Sequence, residues 1–138
     1  EGGRGETCRS RQVGELLAWI DATAAPLTVV TGDLNCGPHT SADNYEQVLT
    51  GGFVDLFAET VREDAFTWDP TNPLVDGGDV ALPGQRIDHI LLNRNAMDHC
   101  RPGIARIVLD ERRVDAGSAG QVPVSDHYGL LATIEAAG

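Results

Sequence analysis

Three short segments of this 138-residue chain carry side chains that can move protons and hold phosphate: Gly32-Asp33-Leu34-Asn35, Arg86-Ile87-Asp88-His89 and Ser125-Asp126-His127. Two of them also read without any chemistry. A Gly-Asp-x-Asn string commonly makes a turn, because Asp and Asn hydrogen-bond their own backbone and accept unusual dihedrals. Asp126-His127 fits a loop residue followed by a His that caps a strand. Asp88 is harder to dismiss. It lies in the otherwise apolar run Ile87 to Leu92, where a carboxylate is costly unless it is paired. It needs a partner, and a His is a natural one.

The elements that must position these segments follow from apolar spacing. Val13, Leu16, Leu17 and Ile20 fall on one helical face, and Pro26 cannot continue it, so a helix is expected from about residue 9 to residue 24. Leu27 to Thr31 is a β-branched run ending at Gly32, which reads as a buried strand delivering its last residues to a site. Tyr45, Val48 and Leu49 predict a second, short helix stopped by Gly51-Gly52. Residues 53–57 read as a strand or a turn, and residues 69–84, rich in Pro, Gly, Asp and Asn, as a long loop. Strands are expected at 87–92, 104–109 and 128–134, with a polar loop at 115–121. This order gives an α/β or α+β layered arrangement. The three segments then stand at strand ends or in adjoining loops, where such folds place their sites.

Composition narrows the chemistry. Ten basic residues, all Arg, face 21 acidic ones for a net charge of −11, which repels a polyanion at long range. A large nucleic-acid footprint is disfavoured, yet clustered carboxylates suit a divalent cation, which reverses the local field. Cys8, Cys36 and Cys100 are too widely spaced for a metal pair or a disulfide framework, so free thiols are expected. Cys36 adjoins the first segment, but a nucleophilic thiol wants an activating base, and only His39 stands at short spacing. No apolar stretch approaches the ~20 residues of a membrane span. The chain opens on Glu1-Gly-Gly-Arg-Gly, without an initiator Met or an apolar leader, so the expectation is that the true N-terminus lies elsewhere and that the compartment is not legible.

In this order the three segments resemble the endonuclease/exonuclease/phosphatase superfamily, a group of metal-dependent hydrolases that includes deoxyribonuclease I-like nucleases and sphingomyelinases. The resemblance rests on GDLN at 32–35, RIDHILL at 86–92 and SDH at 125–127, with the Arg11-Gln12 helix before them. Phe66-Thr67-Trp68 and Asn72-Pro73 also fit. It implies one half of a four-layer, two-sheet α/β sandwich, with a mixed, mostly antiparallel sheet and helices on one face. It also implies Mg²⁺-dependent hydrolysis of a phosphodiester by in-line attack of water, with Mn²⁺ as a substitute. His127 matches the catalytic His, Asp88 the carboxylate that orients it, and Asp126 a metal-site carboxylate. Asp33 would position or deprotonate the water, and Asn35 would hold a phosphate oxygen. The base stays open between Asp33 and His127. Trp68 reads as a packing residue placed where it can also contact substrate.

The resemblance spans residues 1–138 as the C-terminal half of such a domain. The family's principal metal-binding Glu, an upstream Asn and a second His have no counterpart in this sequence, and Glu6 and Glu15 are expected to be solvated helix residues. Activity in isolation is therefore not expected. A sheet from half a sandwich would expose an apolar face, which predicts self-association or a partner carrying the missing N-terminal half. The competing readings are a non-catalytic fragment or interaction module that kept the fold, and a phosphomonoesterase of the inositol-phosphate type. The latter would call for a basic pocket that this acidic sequence does not offer.

Overall fold

The spacing of Val13, Leu17 and Ile20 does build a helix, and it is longer than the apolar pattern alone specifies. In the computed structural model, which describes residues 2–61, 65–75, 81–111 and 113–137, α1 spans Gly2–Thr23. Its first turns contain Gly3 and Gly5, each of which costs a helix about 1 kcal/mol relative to Ala. Tertiary contacts offset that penalty. Glu6 bonds Arg9 (2.8 Å) on its own helix, and Asn44 (2.6 Å) and Ser41 on the following one. Glu6 stays exposed, as expected of a solvated helix residue, and also ties the two helices together. Past Thr23, Ala24 adopts a left-handed conformation (φ 51°) and the helix ends.

β1 (Val29–Asp33) leads to α2 (Ala42–Thr50), which Gly51 and Gly52 terminate. Then β2 (Phe53–Asp55) runs directly into α3 (Leu56–Thr60). Asp55 is the cap at this junction, its carboxylate accepting from the backbone N–H of Phe57 (3.0 Å) and Ala58 (3.4 Å). β3 (Asp88–Asn93) follows, then a 3₁₀ turn at Arg94–Asp98, β4 (Cys100–Val108), β5 (Arg113–Asp115), β6 (Gln121–Pro123) and β7 (Gly129–Ala136). Among the described residues every strand pairing is antiparallel: β1-β3-β2 in one sheet, β4 with β7, and β5 with β6. Residues 76–80 of the expected long loop lie outside the described residues.

Cross-strand partners share a face of a sheet, so the register sorts the side chains of β1, β3 and β2. Val30, Leu91 and Phe53 face α1 and α2, forming a core with Val13 and Val48. On the opposite face Leu92 and Ile90 meet Leu56, Ala96, Cys100 and Ala132. Burial of side chains such as Leu56, Leu91 and Leu92 contributes about 1.5–3 kcal/mol each. This second face is covered only in part. Along β1, Val29, Thr31 and Asp33 remain exposed. The strand expected at 27–31 is therefore shifted by two residues and is not buried. Its β-branched run packs one face alone.

Two further differences have local causes. β4 starts four residues before the expected strand, because Pro102 and Gly103 break its pattern at a register shift between Pro102 and Ala105. A side chain at Gly103 would meet Thr133 Oγ1 at 2.3 Å, so only Gly allows that approach. The polar 115–121 segment is the tip of the β5–β6 hairpin, with Gly117 and Gly120 at positive φ.

Candidate active site

The register of β1 against β3 sets Asp33 directly opposite Asp88. Like charges in that arrangement destabilise a sheet, and each carboxylate has its own compensation. Asp88 Oδ2 accepts from His127 Nδ1 at 2.8 Å. Asp33 Oδ1 accepts the backbone N–H of Asn35 at 2.7 Å, with Asn35 Nδ2 at 3.4 Å from Oδ2. The first segment is thus the turn that its composition suggests, with Asn35 left-handed at φ 51°. That turn also carries a carboxylate up to a second one.

His127 and Asp88 keep 27% and 24% of their side-chain surface exposed. An ionised carboxylate can only accept, so His127 carries hydrogen on Nδ1, leaving Nε2 free to take a proton or to face a ligand. The Asp88 partner expected from its apolar strand is the His of the third segment.

What brings that segment to β3 is residues 67–72. Thr67, fully buried, accepts at Oγ1 from the backbone N–H of both Ile87 and Asp88, each at 3.1 Å. Its carbonyl takes the N–H of Tyr128 at 2.6 Å, and Trp68 bridges Gln85 on one side and His127 on the other. Asn72, 2% exposed, donates from Nδ2 to the carbonyls of Ser125 (3.0 Å) and Asp126 (3.3 Å). Trp68 is itself buried at 8% exposure, so any substrate contact is confined to a narrow edge. Asp126 is exposed, held by Ser125 Oγ at 3.2 Å.

Beneath the site lies a buried polar group that the sequence reading passed over. Asp55 receives Tyr45 Oη (2.8 Å), Arg86 Nη1 and His89 Nδ1 (2.9 Å), and His89 Nε2 donates to the Cys36 carbonyl at 2.7 Å. Burial alone would raise the Asp55 carboxyl, but the His89 hydrogen bond and the Arg86 charge outweigh it and hold the group well below the usual carboxylate range. The same surroundings push the Tyr45 hydroxyl up to about 12, through burial first and the Asp55 charge second. The signal for Asp55 was present in Phe53-Val-Asp-Leu-Phe57. A carboxylate in an apolar run needs partners there as much as at Asp88.

Cys36 is fully buried, and burial raises its thiol to about 11. It is no nucleophile at neutral pH. Gly37 follows it because a side chain there would sit 2.0 Å from the Arg86 carbonyl. A cleft lined by Arg9, Gln12, Val13, Asp33 and Asn35 opens beside the first segment. Mg²⁺ seeks octahedral oxygen donors, and among the described residues no group of three His, Cys, Asp or Glu side chains is placed to hold a metal. Asp126 offers one carboxylate, and these residues alone do not complete a metal site.

Several solved structures resemble this chain in fold. Sphingomyelinase C from Streptomyces griseocarneus matches all of this chain over 48% of its own (TM-score 0.69, 21% identity). An AP endonuclease from Archaeoglobus fulgidus matches 93% of this chain over 54% of its own (TM-score 0.64, 19% identity). An endonuclease/exonuclease/phosphatase family protein from Leptotrichia buccalis matches 79% over 36% (TM-score 0.55, 22% identity). The fold is that of the endonuclease/exonuclease/phosphatase proteins. The chain spans about half, or less, of the length of these structures. No family model matches it, and no curated protein gives a significant match. Among the described residues of this endonuclease/exonuclease/phosphatase-type fold, no helix is long and apolar enough to cross a membrane.

Proposed function

We propose that this chain belongs to the endonuclease/exonuclease/phosphatase superfamily and supplies the C-terminal half-site of a Mg²⁺-dependent phosphodiesterase. The observation that supports this reading most is the opposition of Asp33 and Asp88 across β1 and β3, with Asp88 bonded to His127. A catalytically silent module would gain nothing from two directly opposed carboxylates. The fold and the solved relatives support hydrolysis of phosphate esters; the diester and the metal are the finer part of the proposal.

In this reading Asp88 holds the His127 ring in one tautomer and stabilises the charge it acquires. His127 Nε2 and Asp33 are the two groups able to accept a proton from the attacking water. Asn35 turns its amide to a phosphate oxygen as substrate enters along the cleft beside Arg9 and Gln12. Mg²⁺, or Mn²⁺ in its place, would neutralise phosphate charge, with Asp126 as one donor and the others drawn from a second half of the domain. That half comes from further sequence or from a separate chain; a second copy of this one is the alternative covering for the open face along β1. The net charge of −11 favours a small phosphodiester or a lipid headgroup over a long polyanion.

The test is hydrolysis of a bis-aryl phosphodiester by the assembled protein, with Mg²⁺, with Mn²⁺ and with chelator, before and after His127→Ala. Loss of about a hundredfold or more in rate is expected from the substitution. Equal rates would retire the assignment.

A further inference from the structure

His89 is buried to 2% exposure and takes no part in the proton transfers above. It follows Asp88 on β3, so its ring lies on the opposite face of the sheet, in register with Gly32. There its Nε2 meets the Cys36 carbonyl at 2.7 Å. A carbonyl only accepts, so Nε2 carries the hydrogen. The ring is fixed in turn by Asp55 at Nδ1 (2.9 Å) and by stacking on Tyr45, with centroids 5.1 Å apart and planes at 27°.

Cys36 is the next residue after Asn35, which holds a left-handed φ of 51°, a conformation that Asn tolerates in a turn. The hydrogen bonds of Asn35 run back to Asp33 and so do not fix the turn to the rest of the molecule. The turn is tied down by backbone contacts, Leu34 N–H to the Ile87 carbonyl (2.9 Å) and Gly37 N–H to the Thr40 carbonyl (2.6 Å), and by the His89 ring between them.

We propose that His89 is a positioning residue: by donating to the Cys36 carbonyl it holds the 33–36 turn in the conformation that aims Asp33 and Asn35 at the substrate. This rests on the reading of Asp33 and Asn35 as site residues. His89, which follows Asp88 on β3, thereby couples the first segment to that strand and to the buried Asp55 and Arg86 pair.

Two substitutions separate positioning from general packing. In His89→Gln the amide nitrogen reaches the place of Nε2 and keeps the Cys36 contact. In His89→Asn it reaches the place of Nδ1 and keeps Asp55 alone. Hydrogen exchange at the Asn35 and Gly37 amides should accelerate about tenfold or more in His89→Asn and stay close to wild type in His89→Gln, with the β4–β7 pair unchanged in both. In the assembled enzyme His89→Asn should lower kcat with KM little altered, and His89→Gln should restore it. Unchanged exchange in His89→Asn, or equal damage from both variants, overturns the proposal. If neither variant folds, the wild-type ring decides: a protected hydrogen on Nε2 in ¹H–¹⁵N spectra upholds the anchor, and a bare Nε2 overturns it. The exchange measurements need no turnover. An assembly that hydrolyses no phosphate ester while exchange behaves as expected would sink the functional reading and leave the anchor standing.

Discussion

Replacing Thr67 by Val removes one oxygen from the interior without changing the shape of the side chain. That oxygen is the acceptor for two backbone N–H groups, those of Ile87 and Asp88, each at 3.1 Å, and Thr67 has no solvent exposure. No water can replace the lost acceptor. Each orphaned donor costs about 1–3 kcal/mol, so a loss of about 2–6 kcal/mol is expected for the two, against a total of about 5–15 kcal/mol for a domain of this size. In urea, with a slope of about 2 kcal/mol per molar, the midpoint should fall by about 1–3 M. Thr67→Ser is the control. It keeps the oxygen and deletes a methyl, at a cost of about 1 kcal/mol. Because the Asp88 amide is one of the two donors, Thr67→Val should also loosen the 2.8 Å bond between Asp88 and His127, seen as a broadened His127 ring resonance. A Val variant within about 0.5 kcal/mol of wild type, or a Ser variant as unstable as Val, would refute the account of how β3 is seated.

Gly37→Ala forces a methyl to 2.0 Å from the Arg86 carbonyl; a loss above about 2 kcal/mol is expected by thermal or urea unfolding, and a silent substitution would contradict the packing described. Of the three thiols, exposed Cys8 should react rapidly with a maleimide at neutral pH, while Cys36 and Cys100 wait for unfolding; fast labelling of Cys36, whose thiol lies near 11, would show that the 33–37 turn opens. Asp55 has its folded value lowered from an ordinary 3.8. Its stabilisation is therefore complete above about pH 5 and drains as pH falls through and below the carboxylate range. Asp55→Asn should cost about 3–5 kcal/mol at neutral pH, and the gap to wild type should narrow on acidification; a gap independent of pH would contradict the ionised, paired carboxylate.

The site was legible in sequence wherever a residue violated its surroundings. Asp88 in an apolar strand announced a partner, and the partner is His127. Asp55 made the same announcement from a run that reads equally as a strand or a turn, and its partners come from two separate stretches of chain, Tyr45 from one and Arg86 and His89 from the other. Such long-range pairing has no local period to read. α1, α2 and the three longer strands followed from apolar spacing, but their ends did not, and α3 falls where a strand or a turn was expected. α1 reaches back to Gly2 because Glu6 finds Asn44 and Ser41, a tertiary contact that overrides Gly propensity. β4 is hidden by Pro102 and Gly103, whose place is set by Thr133 across the pair. Asn72 and Thr67 sit in a stretch without periodicity, so only the structure shows that they bind the 125–128 and 87–88 segments.

The strand order β1-β3-β2 has a consequence for the behaviour of the chain in solution. Among the described residues β1 has no strand on its outer side, so Val29-Val-Thr presents a row of backbone donors and acceptors, the kind of edge on which other chains add strands. It ends in Gly32 and the charged Asp33, beside a second carboxylate at Asp88. Charges at an edge deter such growth. The charge that Asp33 brings to the end of this edge works against such stacking, and neutralising it should lower the solubility of the chain.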